Sequence, residues 1–417
     1  MARRAAYIQA ISAADSASVL HVDCGDMIGA KGTLEQIRAG YLIEAYDRMG
    51  IDCVNFGSSD VLLGQKFLLE EMGKTDIPFI SANTYYGDNG ERFLPPYIVK
   101  RLSPKRFLGF EWGGLRVAIF GVVQPLDETS GLPWDRASGE NRLVVKDPAV
   151  TARELVEQLR SEVDVVICLA HTGWVQARAL ARNVSGIDLM IVGSGANVKG
   201  EPYMVNDIPL VMPGDEGKYL GVVDLYLDEN GKVVDVEGHA QPLDDSIEDD
   251  PWMTELIAKM NDELQAIGQE IVPASSQLDV IRFLGAEACA ECHRDEYVQW
   301  KGSGHATATQ SLVNERQDYN PNCLKCHVTG YGFFNGFHSY EKTPGMLNVQ
   351  CESCHGSGSD HVQWARGEPV SDPKRDPARK FLFEPIEERC TACHDSENDP
   401  DFDFPVDIRA VRHTRPE

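Results

Sequence analysis

Apolar and polar positions divide the chain into two unlike halves. Up to about residue 245, short β-rich apolar runs recur: "SVLHVDC", "CVNFG", "IPFISAN", "LRVAIFGVV", "VDVVICLAHTG", "IDLMIVGS" and "IPLVMPG". Helical patterns separate them, as over residues 40–49 and 152–160, and strands alternating with helices predict an α/β layered domain. "YLGVVDLYLDENGKVVDVEG" then predicts two strands joined in a hairpin across the "DENG" turn. A helix follows over about 251–269, with Trp252, Leu256, Met260 and Leu264 along one stripe. From about Ala286 the long apolar runs vanish, and Gly, Pro, His and Cys dominate. Side chains of that kind cannot fill a core of their own. The tail is therefore expected to be short helices and loops wrapped around something else.

A length of 417 residues accommodates two to three domains. The formal charge of -26 repels nucleic acid and anionic lipid, and it suits a cationic redox partner. No stretch approaches the run of apolar residues that spans a bilayer.

Cysteine usage changes the picture most. Of 11 cysteines, eight form four pairs, each followed at once by histidine. These are Cys289, Cys292 and His293; Cys323, Cys326 and His327; Cys351, Cys354 and His355; and Cys390, Cys393 and His394. A zinc ribbon uses C-x-x-C pairs without regard to the next residue, and a thioredoxin-like dithiol occurs once rather than four times. Covalent haem attachment accounts for the histidine. Two thioethers fix the porphyrin, and the adjacent imidazole becomes the proximal iron ligand. Four haem c groups are thus expected, and they replace the missing core. Cys24, Cys53 and Cys168 lie in apolar runs and read as small buried hydrophobes.

Each iron then needs a sixth ligand. Met346 is the only methionine after Met260, which argues against Met/His ligation. His305, His338, His361 and His413 remain, four candidates for four irons. The expected division of the chain is a layered domain over 1–245, a helix and linker over 246–285, and a tetrahaem region over 286–417.

The stretches "WKGSGHATA", "CLKCHVTGYG" and "VQCESCHGSGSDHV", with the final C-x-x-C-H and a late histidine, resemble the tetrahaem cytochrome c family of the hydroxylamine-oxidation pathway. Relatives of that family include subunits of extracellular cytochrome filaments. The resemblance implies that His305 and His361 serve haems other than those attached by their neighbouring motifs. It also implies that one iron can stand open in some members, where a small nitrogen compound could react. His338 argues against such a vacancy here.

The first half resembles the 5'-nucleotidase branch of the calcineurin-like metallophosphoesterases, through "VDCGDMIG", "AYDRMGIDCVNFGSSDVLLG", "IPFISAN", "VDVVICLAHTG" and "IDLMIVGSGAN". That family activates water with two metal ions held by Asp, Asn and His. The resemblance places Asp26 at the bridging aspartate and His171 at the histidine of the "LAHTG" motif. Elsewhere the pattern fails. The family's Asn-His pair falls on Ser58 and Ser59, and its Gly-His-x-His motif reads Gly193, Ser194, Gly195, Ala196. Serine and alanine do not replace imidazole at such a site, so no dinuclear metal and no hydrolysis are expected. Asp26 and His171 then read as hydrogen-bonded residues at strand ends.

Haem is attached outside the cytoplasm, so a periplasmic or extracellular location is expected. "MARRAAYIQAISAADSASVL" carries no apolar leader or cleavage site. The family's first metal motif also belongs upstream. A signal peptide and a first strand are therefore expected before Met1. The leading expectation is an exported electron-transfer protein that works with redox partners and is capable of self-association or filament formation. The alternatives are a haem oxidoreductase acting at one open iron, and an active phosphoesterase with an accessory cytochrome.

Overall fold

The computed structural model describes residues 1–15, 18–28, 32–103, 105–107, 110–125, 141–195, 197–214, 217–268, 282–333, 335–370, 387–395 and 398–413. The chain divides into two units, Met1–Met260 and Asn261–Glu417.

The first unit opens with helix α1, Ala2–Asp15, where the sequence pattern predicts no element. Ala2, Ala5 and Ile8 recur at helical spacing and are buried, which is why the segment folds onto the domain. Strands β1 (Val22–Asp23), β2 (Cys53–Asn55) and β3 (Phe79–Ile80) form a parallel sheet in that order. Helices α2 (Thr33–Met49) and α3 (Gln65–Met72) connect them. Gly50 ends α2 in the left-handed conformation, φ 71°, and returns its N–H to the last turn.

Then come β4 (Thr84–Tyr86), β5 (Tyr97–Leu102), β6 (Lys105–Phe107), β7 (Phe110–Trp112), β8 (Leu115–Val123) and β9 (Leu143–Val145). They are followed by α4 (Pro148–Leu159), β10 (Val165–His171), α5 (Trp174–Asn183), β11 (Leu189–Val192), β12 (Val198–Val205) and β13 (Ile208–Pro213). A six-stranded sheet runs in the order β12-β13-β11-β10-β8-β5. Its four inner strands are parallel and its two edge strands antiparallel. Both faces of β8 and β10 are covered, which is the physical reason they read as unbroken apolar runs. Asp147 starts α4 by accepting the Ala149 and Val150 N–H groups, with Pro148 at the first helical position.

One face of this sheet presents Ala118, Phe120, Val122, Val166 and Cys168 to Leu155, Val156 and Leu159 of α4 and to Ala177 and Leu180 of α5. The other face presents Val117, Ile119, Val165, Ile167 and Leu169 to Cys53 and Ile80 of the smaller sheet. Strands β14 (Tyr219–Leu227) and β15 (Val233–Pro242) form the expected hairpin, and Val223, Leu225 and Val233 pack on that same face. Asp228 closes the turn by accepting from Asn230 N and Lys232 N, each at 2.9 Å. The result is a sheet-on-sheet core with helices outside, the layered α/β architecture expected.

Helix α6, Pro251–Gly268, contributes Met253 and Leu256 to a third cluster with α1 and α2. Of the expected linker, residues 269–281 lie outside the described residues. No helix among the described residues is long and apolar enough to cross a membrane.

The second unit consists of short helices: α7 (Ala286–Cys289), α8 (Arg294–Lys301), α9 (Ala308–Asn314), α10 (Pro321–His327), α11 (Cys351–His355), α12 (Ser359–Ala365), α13 (Glu387–Cys390) and α14 (Phe404–Asp407). Among the described residues its buried apolar cluster comprises Leu312, Leu324, Val328 and Phe337. Polar bonds hold much of the rest. Glu352 is buried, and its carboxylate accepts from Leu284 N (2.8 Å), Gly285 N (2.8 Å) and Gly358 N (2.7 Å), drawing three chain segments together.

Candidate metal centres and the N-terminal cleft

The four C-x-x-C-H motifs occupy equivalent places. Each begins in a helix of four to seven residues, α7, α10, α11 or α13, and such a turn brings both cysteines and the histidine to one side. Cys289 of the first motif lies in hydrogen-bonding reach of Cys351 of the third. Likewise Cys326 of the second motif reaches Cys393 of the fourth.

The histidines pair across the unit. The ring centres of His293 and His361 are 6.2 Å apart, those of His305 and His394 are 6.0 Å apart, and those of His355 and His413 are 6.3 Å apart. These separations exceed direct stacking. An imidazole nitrogen binds a first-row metal at about 2.0 Å, and the ring centre lies about 1 Å further out, so two rings on opposite sides of one metal have centres ~6 Å apart. The spacing fits an iron held between each pair. Every pair joins one histidine of a C-x-x-C-H motif to one of the four remaining candidates. His305 and His361 reach motifs other than the ones that immediately precede them.

Neighbouring contacts hold these rings in place. His305 sits in a 3-10 turn, Gly304–Thr307, and Val349 N donates to its carbonyl at 3.1 Å. The Gln299 side chain grips the late histidine from two sides: its Nε2 donates to Arg412 O at 3.2 Å, and its Oε1 accepts from His413 Nδ1 at 3.0 Å. His327 Nδ1 donates to Ala308 O at 2.7 Å. Burial pushes the pKa of His305 down, with His394 adding to the effect. Burial does the same for His355, helped by His413, Arg389 and His293. Both are thus favoured in the neutral form that ligates a metal. His338 lies on the loop before Thr343, whose hydroxyl accepts its backbone N–H at 2.7 Å.

In the first unit the strand ends converge on a second cluster. Gly25 and Gly57 allow the ends of β1 and β2 to meet, since a Cβ on Gly57 would stand 2.1 Å from Asp26 N. Asp26 itself has φ 56°. Its carboxylate lies 3.1 Å from His171 Nε2 and accepts from Ser59 N at 2.6 Å and Ser59 Oγ at 3.1 Å. His171 Nδ1 donates to Cys24 O at 3.2 Å, and Ser58 Oγ stands 3.4 Å from Nε2.

Burial works against charge on both partners. Hydrogen bonds and the opposite charge nevertheless hold Asp26 below its ordinary pKa and His171 above its own. Sequence reasoning missed Asp60. It is fully buried and accepts from Asp26 N, Met27 N and Gly57 N at 2.8–3.1 Å. Burial and the nearby Asp26 push it up to about 7, against the pull of those N–H groups. The signal was an aspartate directly after Ser58 and Ser59. Asn55, also missed, donates to the carbonyls of Cys24, Val122 and Leu169 and so ties three strands together.

Among the described residues, no group of three or more His, Cys, Asp or Glu side chains is gathered to hold a metal ion. The donor set here does not fit a dinuclear transition-metal site, because hydroxyls and an internal ion pair stand where imidazole nitrogens are needed. Ala196 lies outside the described residues. Cys53 and Cys168 are buried, and Cys24 is half-buried with its thiol 3.5 Å from Ile191 O.

The second unit resembles a c-type cytochrome region, and the first unit has the fold of the calcineurin-like phosphoesterases. Residues 288–356 match the family model described as cytochrome c554 and c-prime. Cytochrome c-554 of Nitrosomonas europaea is 33% identical over 134 residues, covering 27% of this chain and 57% of that protein. The trifunctional nucleotide phosphoesterase protein YfkN of Bacillus subtilis is 29% identical over 229 residues, covering 48% of this chain and 15% of that protein. A crystal structure of the calcineurin-like phosphoesterase YfkN from the same organism aligns with a TM-score of 0.54 at 26% identity, covering 63% of this chain and 88% of that one. The chain thus spans only part of the length of either curated relative.

Proposed function

We propose that this chain is an exported electron-transfer protein. Four haem c groups are attached through Cys289/Cys292, Cys323/Cys326, Cys351/Cys354 and Cys390/Cys393, with His293, His327, His355 and His394 as proximal ligands. The observation that carries the reading is the facing of three motif histidines by three others at 6.0–6.3 Å. Accordingly His361 is the sixth ligand opposite His293, His305 opposite His394, and His413 opposite His355. His338 is the histidine left for the iron of His327.

Bound haem supplies a one-electron couple at each iron. The chain's residues supply the axial nitrogens, fix their orientation and cover the macrocycles. Irons closed on both faces pass electrons without binding substrate. The apolar cluster among the second unit's described residues supports the same reading, because four large macrocycles would complete its interior.

The first unit is proposed to be silent as a hydrolase, since Asp26 and His171 are bonded to each other at the strand ends and Ser58 and Ser59 stand beside them in place of metal-binding side chains. Haem attachment outside the cytoplasm places the protein in the periplasm or beyond. Intact mass and pyridine haemochrome analysis of the exported protein test the proposal. The expected result is four covalent haems per chain. Free thiols at the four motifs would overturn it.

A further inference from the structure

Three of the candidate ligands hold their second ring nitrogen against contrasting partners. His327 Nδ1 donates to the Ala308 carbonyl and His413 Nδ1 to the Gln299 amide oxygen, both neutral. His394 Nδ1 donates instead to Asp399 Oδ2, at 2.7 Å. In each case Nε2 is left for a metal.

We infer that Asp399 is a positioning residue that lowers the reduction potential of the group attached at Cys390 and Cys393. The inference rests on the reading above that His394 ligates iron opposite His305. A carboxylate on the Nδ1–H draws the proton toward itself and makes Nε2 a more electron-rich donor, which favours the ferric state over the ferrous. Reduction adds one electron and neither makes nor breaks a bond to Asp399. The residue therefore acts only through the relative stability of the two oxidation states.

The local fold holds this contact. Asp399 N donates to Asp395 O at 2.8 Å, which ties Asp399 to the residue directly after the motif. The Phe402 ring stacks on His394 at 4.6 Å between centres, with planes 16° apart, and limits its rotation. The side chains of His394 and Asp399 are 34% and 41% exposed, so water weakens the charge effect without removing it.

The test is an optical redox titration of the full haem-loaded chain and its variants. Asp399→Asn is expected to move one of four one-electron waves upward by about tenfold in the reduction equilibrium, ~59 mV for a one-electron couple. Asp399→Ser, a second neutral residue, should reproduce the shift. Asp399→Glu should restore the original midpoint. Asp401→Asn removes an equal charge from an exposed position of the same loop and should leave the wave in place.

Unchanged midpoints in both neutral variants would overturn the inference while leaving the four-haem reading intact. An equal shift in Asp401→Asn would overturn it too, by reducing the effect to a general field. A parent protein with free thiols at Cys390 and Cys393 would sink both.

Discussion

The imidazole of His355 faces that of His413 at 6.3 Å between ring centres, with the ring planes 14° apart. The two residues are far apart in sequence, and Gln299 holds the second of them through its ring nitrogen. A ligand clamped by a single side chain can be removed without dismantling the rest of the unit.

His413→Ala is therefore expected to open one iron and leave the other three unchanged. Ferric resonance spectra should gain one high-spin signal. The reduced protein should bind one more equivalent of carbon monoxide than the parent. Gln299→Leu should give a milder form of the same effect, because it loosens the ring without deleting it.

His327 offers a separate check. If His338 closes its iron, the reduced parent protein binds no carbon monoxide, and His338→Ala creates one binding site. One equivalent bound by the parent would remove His338 from the ligand set and favour small-molecule chemistry at that haem.

Glu352→Ala should destabilise the second unit by about 3 kcal/mol or more, because three N–H groups lose a buried carboxylate acceptor. Denaturant unfolding followed by haem absorbance measures the loss. Glu352→Gln keeps one acceptor oxygen and should recover part of it.

The first unit should be most stable in mild acid. The pKa of His171 is raised on folding, so its contribution is complete below 6.5 and is lost as pH rises through the folded value. That of Asp26 is lowered, so its contribution is complete above 3.8 and is lost as pH falls through the folded value. Asp60, raised to about 7, adds to the decline as pH rises. Calorimetry should find the highest unfolding temperature at about pH 4, with a decline toward about pH 7 as Asp60 ionises and a further decline as His171 loses its proton. His171→Leu should flatten the alkaline side of the curve.

Much of this architecture is legible in the sequence, for identifiable reasons. Strands β8 and β10 are apolar on both faces, so their runs are unbroken and easily read. β5 is missed because it is an edge strand, half exposed along its length, on which Val99 is 48% exposed. Helix α1 is missed because Ala2 and Ala5 are small, and a stripe built on alanine carries a weak apolar signal. In the second unit, spacing identifies the attachment motifs and composition narrows the distal candidates. The pairing of His305 with His394 is not legible, because loops rather than sequence neighbours bring the rings together. Asp60 and Asp399 escape for the same reason: each matters through one contact that only the folded chain makes.

The most direct test is the low-temperature electron paramagnetic resonance spectrum of the oxidised, purified protein. All four irons should be low-spin with two imidazole ligands. The nearly parallel His355–His413 pair should give an ordinary rhombic signal, and the His305–His394 pair, crossed at 54°, a signal with a larger maximum g value. A spectrum dominated by high-spin ferric iron, or one with no haem signal, would contradict the account.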